Sequence, residues 1–356
     1  MPRACLSSRR LVVLALCSSP LAACGGGGGS PTGPTTTPTP PGSTVNVTAF
    51  YDENGNGRLD PSEAARVPGV EVVIGGATAK TAKNTGLAVV SGVLEGAQTV
   101  DLRSDSLPTY YQPGPPIPIQ VPGTTDVKYP LTLPIGQNNA SVYLGYGDSI
   151  TVGDGSSDGK GYALRLQSLL GPYFGRAEVE TWGREGTMSR EGATRTHTTL
   201  GWFHPAYLLI LYGTNDWNEP ECRDAPPCYT IDSLRSMIED TKSAGAWPIV
   251  ATIPPVNPQY ADHQPTERNA WVKSMNDLVR SMAASEKCPV ADVYADFMKQ
   301  PSLPPLYSDF LHPNDQGYQI IAQSFFRAIT QPLAGSAAAV DDPAPVLFAS
   351  PRRHHP

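Results

Sequence analysis

Apolar positions along the chain change their period twice. Residues 11–17 (LVVLALC) form one short unbroken apolar run. Between residues 45 and 135 the apolar residues fall in short clusters: VNVTAFY, VEVVIGG, LAVVSGVL, QTVDLRS, IPIQV and VKYPLTL. Turn signals such as Lys83-Asn84-Thr85-Gly86 and Leu94-Glu95-Gly96 divide them. Short runs bounded in this way predict strands, no helical period intervenes, and many short strands predict a β-sandwich. Beyond residue 140, strand-like and helix-like stretches alternate. Strands are expected at 141–145, 177–182, 206–212, 249–253 and 290–294. Between them, apolar residues share helical faces: Tyr162, Leu166, Leu169 and Leu170; Ile231, Leu234, Met237 and Ile238. Trp271, Met275, Leu278, Val279 and Met282 form a third stripe, and Ile321, Phe325 and Ile329 a fourth. These stripes are core faces. The alternation predicts a doubly wound α/β domain with a parallel sheet, helices on both faces and any site at the carboxyl ends of the strands.

The start of the chain reads as a targeting segment. Arg3, Arg9 and Arg10 precede the apolar run, and Leu21-Ala22-Ala23-Cys24 follows it. Small residues ahead of a cysteine resemble the lipobox of bacterial lipoproteins. The resemblance implies removal of residues 1–23, a lipid on Cys24, and a cell-envelope location with the membrane as partner. The apolar run is too short to span a bilayer. The remaining chain is acidic, so attachment has to come from acyl chains and not from basic residues. Residues 24–44 are a Gly/Pro/Thr linker that spans about 60 Å when stretched at ~3 Å per residue. Residues 333–356 read as a disordered tail.

A formal charge of −7 with no basic stripe excludes nucleic-acid binding. Of six cysteines, Cys222 and Cys228 flank a short loop and are expected to form a disulfide in an exported protein. Cys288 is expected to be a buried thiol.

Four blocks carry candidate chemistry, and all fall at expected strand ends. They are Gly147-Asp148-Ser149, Trp182-Gly183-Arg184-Glu185-Gly186, Gly213-Thr214-Asn215-Asp216 and Asp309-Phe310-Leu311-His312-Pro313-Asn314. A serine hydroxyl needs a base within hydrogen-bond reach and donors for the developing oxyanion. Together the blocks resemble the signature of the SGNH (GDSL) hydrolases. The resemblance implies a flavodoxin-like domain over residues 137–332 that hydrolyses carboxylic esters through an acyl-serine. It implies Ser149 as nucleophile, His312 as base and Asp309 as its orienting carboxylate. The oxyanion donors it implies are the N–H groups of Ser149 and Gly186 and the amide of Asn215. Thr181 stands where the family's second block usually carries an asparagine, which leaves Gly183 and Gly186 both able to supply the N–H. No catalytic metal or organic cofactor is implied.

Residues 45–136 hold the expected β-sandwich, similar to transthyretin-like modules of secreted proteins. Within it Asp52, Asn54, Asn56, Arg58, Asp60 and Glu63 stand at positions 1, 3, 5, 7, 9 and 12 of a loop, with Gly57 at position 6. This is the spacing of an EF-hand-type calcium loop, and a structural Ca²⁺ is expected there. The combined expectation is a monomeric envelope esterase acting on short-chain or carbohydrate O-acyl esters, such as acetylated polysaccharide. The alternatives are a lysophospholipase or thioesterase, and a non-catalytic carbohydrate-binding or adhesion lipoprotein.

Overall fold

The computed structural model describes residues 42–332. The leader at 1–23, Cys24, most of the linker and the tail at 333–356 lie outside the described residues. The N-terminal strands follow the short apolar clusters: β1 (Ser43–Tyr51), β2 (Glu71–Ile74), β3 (Ala77–Lys80), β4 (Leu87–Val93), β5 (Gly96–Leu102), β6 (Gln112–Pro113), β7 (Ile117–Val121) and β8 (Asp126–Thr132). They form two four-stranded sheets, ordered β4-β1-β8-β6 and β3-β2-β5-β7. Val45, Val47, Val72, Val100 and Tyr129 are fully buried in one core. Strand β1 begins two residues inside the expected linker, because Ser43 already pairs with Val93 of β4. Its polar side chains hid that pairing in a low-complexity stretch.

Five parallel strands build the second part: β9 (Asn139–Gly147), β10 (Glu178–Gly183), β11 (Pro205–Leu211), β12 (Trp247–Ala251) and β13 (Val290–Ala291). Their order is β10-β9-β11-β12-β13, so the chain reverses direction across the sheet between β9 and β11. The helices are α1 (Ser149–Val152), α2 (Gly161–Phe174), α3 (Ser189–Phe203), α4 (Pro220–Asp224), α5 (Thr230–Ser243), α6 (Pro265–Ser285), α7 (Val293–Met298) and α8 (Asp315–Thr330). Successive strand side chains point to opposite faces. Tyr143, Tyr207 and Leu209 join Leu166, Leu170, Ile321 and Phe325 of α2 and α8. Leu144, Leu208 and Ile210 join Leu234, Met237, Met275 and Val279 of α5 and α6. Leu278 departs from the expected stripe: it is 39% exposed, since the buried face of α6 runs through Trp271, Met275, Val279 and Met282. The last strand is short because the Asp292 side chain accepts the Ala295 N–H and starts α7.

The two parts interlock at the amino-terminal rim of the parallel sheet. The Thr109 hydroxyl donates to the carbonyls of Ala328 and Gln331, at the far end of α8. Tyr110 donates to Pro248 O at 2.9 Å, and its ring stacks on Trp247 with centroids 4.0 Å apart. The Arg66 N–H meets Phe174 O at the end of α2. The eight N-terminal strands therefore stand on the rim opposite the carboxyl ends.

Candidate active site

Close packing at the end of β9 sets the first loop. A Cβ on Gly147 would lie 2.1 Å from Thr151 Oγ1 and 2.3 Å from Leu211 O, so only glycine fits between β9, β11 and α1. The chain then turns at Asp148, whose carboxylate caps α1 by accepting the Ile150 N–H. Ser149 is the first residue of α1 and is 6% exposed. It lies directly in a helical turn and not in an extended loop before the helix.

The Ser149 Oγ is 2.9 Å from His312 Nε2. On the other side of the ring, His312 Nδ1 is 2.7 Å from Asp309 Oδ2. Asp309 Oδ1 accepts the N–H groups of Leu311 and His312. Partial burial works to raise the Asp309 pKa, but hydrogen bonds from the His312 ring and these backbone groups prevail and hold it below the usual carboxylate value. The carboxylate therefore stays ionised at neutral pH, and it fixes the imidazole so that Nε2 faces the serine.

Asn215 follows β11 and is 5% exposed. Its amide donates to Thr187 O at 3.0 Å and stands 3.5 Å from Asp148 Oδ2. That second contact is long for a hydrogen bond, and it is the weaker of the two that hold the amide beside the serine loop. Gly186 has φ +67° at an exposed loop tip, a left-handed conformation suited to glycine. Gly183, the other glycine of this block, pairs with Gly147 inside the sheet, which leaves Gly186 as the freer backbone. Cys222 and Cys228 are joined by a disulfide, and Cys288 is a buried free thiol.

Several buried polar groups around the site had no distinct signal in the sequence. Asp216 takes the Ser189 N–H and the hydroxyls of Ser189 and Thr230, which ties α3 and α5 to the Asn215 loop. Arg268, 4% exposed, donates to Thr214 O at 2.7 Å, and its Nε is unpaired. Asn257 donates to Asp309 O at 3.1 Å and to Phe310 O at 3.0 Å, latching the loop after β12 to the Asp309–His312 turn. Asp148 and Asp216 stood within recognisable motifs, whereas Arg268 and Asn257 did not.

Residues 146–320 match the model of the GDSL-like Lipase/Acylhydrolase family. The match covers just under half of the chain. The matched region contains every residue of the constellation above. No curated protein matches the chain. Among solved structures, it is similar to an acetylxylan esterase from Geobacillus stearothermophilus, at 21% identity over 56% of this chain and 98% of the other, TM-score 0.43. It is also similar to a lipase/acylhydrolase from Enterococcus faecalis, at 20% identity over 53% and 95%, TM-score 0.43. An α/β hydrolase from the metagenome of Lake Arreo shares 24% identity over 55% and 97%, TM-score 0.43.

The Ser149 loop also carries a buried acid, Asp148, whose proton is held more tightly than in an ordinary carboxyl group. Burial raises the Asp148 pKa to about 7, and the carboxylate of Asp216 adds to the rise. A raised pKa means that the folded protein holds this proton more tightly than the unfolded chain. The group's contribution is therefore fully present below about pH 4 and is lost as pH rises toward 7, with an upper bound of about 4 kcal/mol. Asp148→Asn keeps an acceptor for Ile150 and removes the charge. Urea unfolding from pH 4.5 to 8 is expected to show a flatter stability profile for the variant and a gain over wild type at pH 8. Parallel profiles would contradict the assignment.

Proposed function

We propose that the protein is a serine carboxylic-ester hydrolase. The observation that carries this reading is the unbroken relay from Ser149 Oγ to His312 Nε2, and from Nδ1 to Asp309, at 2.9 and 2.7 Å. In the proposed reaction, Ser149 Oγ attacks the ester carbonyl carbon and His312 Nε2 takes its proton. The negative charge on the carbonyl oxygen is met by the N–H groups of Ser149 and Gly186 and by the Asn215 amide. His312 then protonates the leaving alcohol oxygen, giving an acyl-Ser149 and free alcohol. Water, deprotonated by His312, attacks the acyl carbon. The carboxylic acid leaves and the serine is restored. Short-chain and carbohydrate O-acyl esters are the proposed substrates. Release of p-nitrophenol from p-nitrophenyl acetate by the full chain tests the reading, and absence of turnover across a chain-length series of esters would contradict it.

Cys24 is the proposed lipid site, with residues 24–44 tethering the enzyme to the cell envelope. The two N-terminal sheets are proposed to form a β-sandwich module that contributes to the stability of the enzyme. It stands away from the catalytic rim, so no direct contact with substrate is assigned to it.

Residues 52–63 are proposed to hold Ca²⁺. Asp52 and Glu63 are buried, and Asp52 accepts the Asn56 and Gly57 N–H groups while Glu63 accepts those of Glu53 and Asp60. Among the described residues, no three His, Cys, Asp or Glu gather as a metal site. The set that would hold the ion therefore includes Asn54, Asn56 and the Arg58 carbonyl beside Asp52, Asp60 and Glu63. These are all oxygen donors, as a hard cation requires. Bound calcium would offset most of the charge of the three carboxylates and stiffen the loop. At free calcium about 100 times Kd the expected gain is about 2.7 kcal/mol, or about 5–10 °C for a unit of this size. Thermal melts with calcium and with chelator check this. An unchanged Tm, or the same shift in Asp52→Ala, would count against the site.

A further inference from the structure

The turn that carries Asp309 and His312 also carries an aromatic residue, Phe310, and the ring does not enter the core. The His263 ring lies on it face to face, with centroids 3.8 Å apart and planes 7° apart. Tyr260 meets His263 edge-on at 6.2 Å. The outer rings are open to solvent: Tyr260 is 37% exposed and the His263 side chain 41%. Exposed aromatic rings stacked in this way carry no core function. The cluster is held in place from below. Asn257 is hydrogen-bonded to both Asp309 O and Phe310 O, and the Tyr307 hydroxyl donates to Pro255 O. The segment bearing Tyr260 and His263 is thus fixed to the turn that bears the base.

The chemistry of ester cleavage says what would sit there. The carbonyl oxygen belongs with Asn215 and Gly186, from the β10 and β11 loops. The leaving alcohol oxygen has to lie beside His312 Nε2, which returns the proton to it. The alcohol portion of the ester therefore lies on the side of the site formed by the His312 turn, which also carries Phe310 and its stacked partner His263. Gln259, Asp262 and Gln264 flank Tyr260 and His263 along the chain and are exposed. Ring faces carry negative charge density and suit the C–H faces of a pyranose, while the amide and carboxylate groups suit its hydroxyls. A sugar engages both kinds of group; a plain alkyl alcohol engages only the first.

We propose that Tyr260, His263 and Phe310 form a shelf that binds the sugar ring of an O-acylated carbohydrate beside the catalytic histidine. The shelf rests on the esterase reading for its role, but its binding can be read separately. The test uses the full chain and compares kcat/KM for a methyl mono-O-acetyl pyranoside with that for ethyl acetate. In His263→Ala and Tyr260→Ala the sugar-to-ethyl ratio is expected to fall about tenfold, mainly through KM. A ratio within twofold of wild type would overturn the shelf. So would a fall confined to p-nitrophenyl acetate, which would mark an aryl site instead. If the wild type hydrolyses no ester, the esterase reading fails. Titration with the free methyl pyranoside, followed through the His263 ring-proton signals, then decides the shelf alone. Shifts that are lost in Tyr260→Ala support it, and no shift overturns it. Melting temperatures of the variants separate loss of binding from loss of fold.

Discussion

Replacing Ser149 with alanine is expected to lower kcat on p-nitrophenyl acetate by about 10⁴- to 10⁶-fold, the scale seen when a serine nucleophile is removed from such a relay. The reasoning is local. The hydroxyl is the only group of this relay that can form the acyl intermediate, and its one side-chain hydrogen bond is to His312. Removing it deletes only this bond to a partly exposed ring, so Tm is expected to stay within about 2 °C of wild type. Initial rates and thermal melts on the same preparations check both halves. Equal turnover by wild type and variant would remove the esterase reading, whereas a large drop in Tm would show that the residue also serves the fold.

The second large effect is expected at Asp309. Asparagine there keeps the oxygen that accepts the Leu311 and His312 N–H groups, because those use Oδ1. It replaces Oδ2, which faces His312 Nδ1 at 2.7 Å, with a donor. The ring then has to accept at Nδ1 and carry its proton on Nε2, where it cannot take the proton of Ser149. A loss of about 10⁴-fold in kcat follows from this wrong tautomer, with KM little changed. Stability carries a second signature. The Asp309 pKa is depressed in the folded protein, so its ionic contribution is present above the unfolded carboxylate value of about 3.9 and is lost as pH falls through the folded value. The stability gap between wild type and Asp309→Asn should therefore close in acid. A gap that widens below pH 4 would contradict the assignment.

How much of this could be read from the amino-acid order varies with the distance over which the signal acts. Strands β9, β11 and β12 announced themselves as apolar runs, and β11 is buried throughout, whereas β10 alternates polar and apolar residues. Helices α2, α5, α6 and α8 were visible as stripes, apart from Leu278, where a leucine on the solvent side mimics the period; α3, with its many Thr and Arg residues, was not foreseen. Strand β3 was missed because Ala77–Lys80 is short and largely polar, and β6 because two residues carry no period. The blocks at Ser149, Gly186, Asn215 and His312 stood out as strand-end motifs. Their buried supports did not: Asn257 lies in a proline-rich loop with no repeat, and Arg268 looks like any surface cation of an amphipathic helix until packing buries it. The docking of the N-terminal strands on the amino-terminal rim depends on Thr109, Tyr110 and Tyr111. These sit in a stretch with no pattern of its own, and only the folded chain brings them to Ala328, Pro248 and Phe174.

In the proposed reaction one hydroxyl, at Ser149, is activated by His312. Treating the full chain with a fluorophosphonate and mapping the adduct by peptide mass spectrometry tests it most directly, since an activated serine displaces fluoride from phosphorus and keeps the phosphonyl group. A single adduct on Ser149, absent from Ser149→Ala and strongly reduced in His312→Ala, is the predicted result. An adduct on another residue, or labelling that is indifferent to both substitutions, would contradict it.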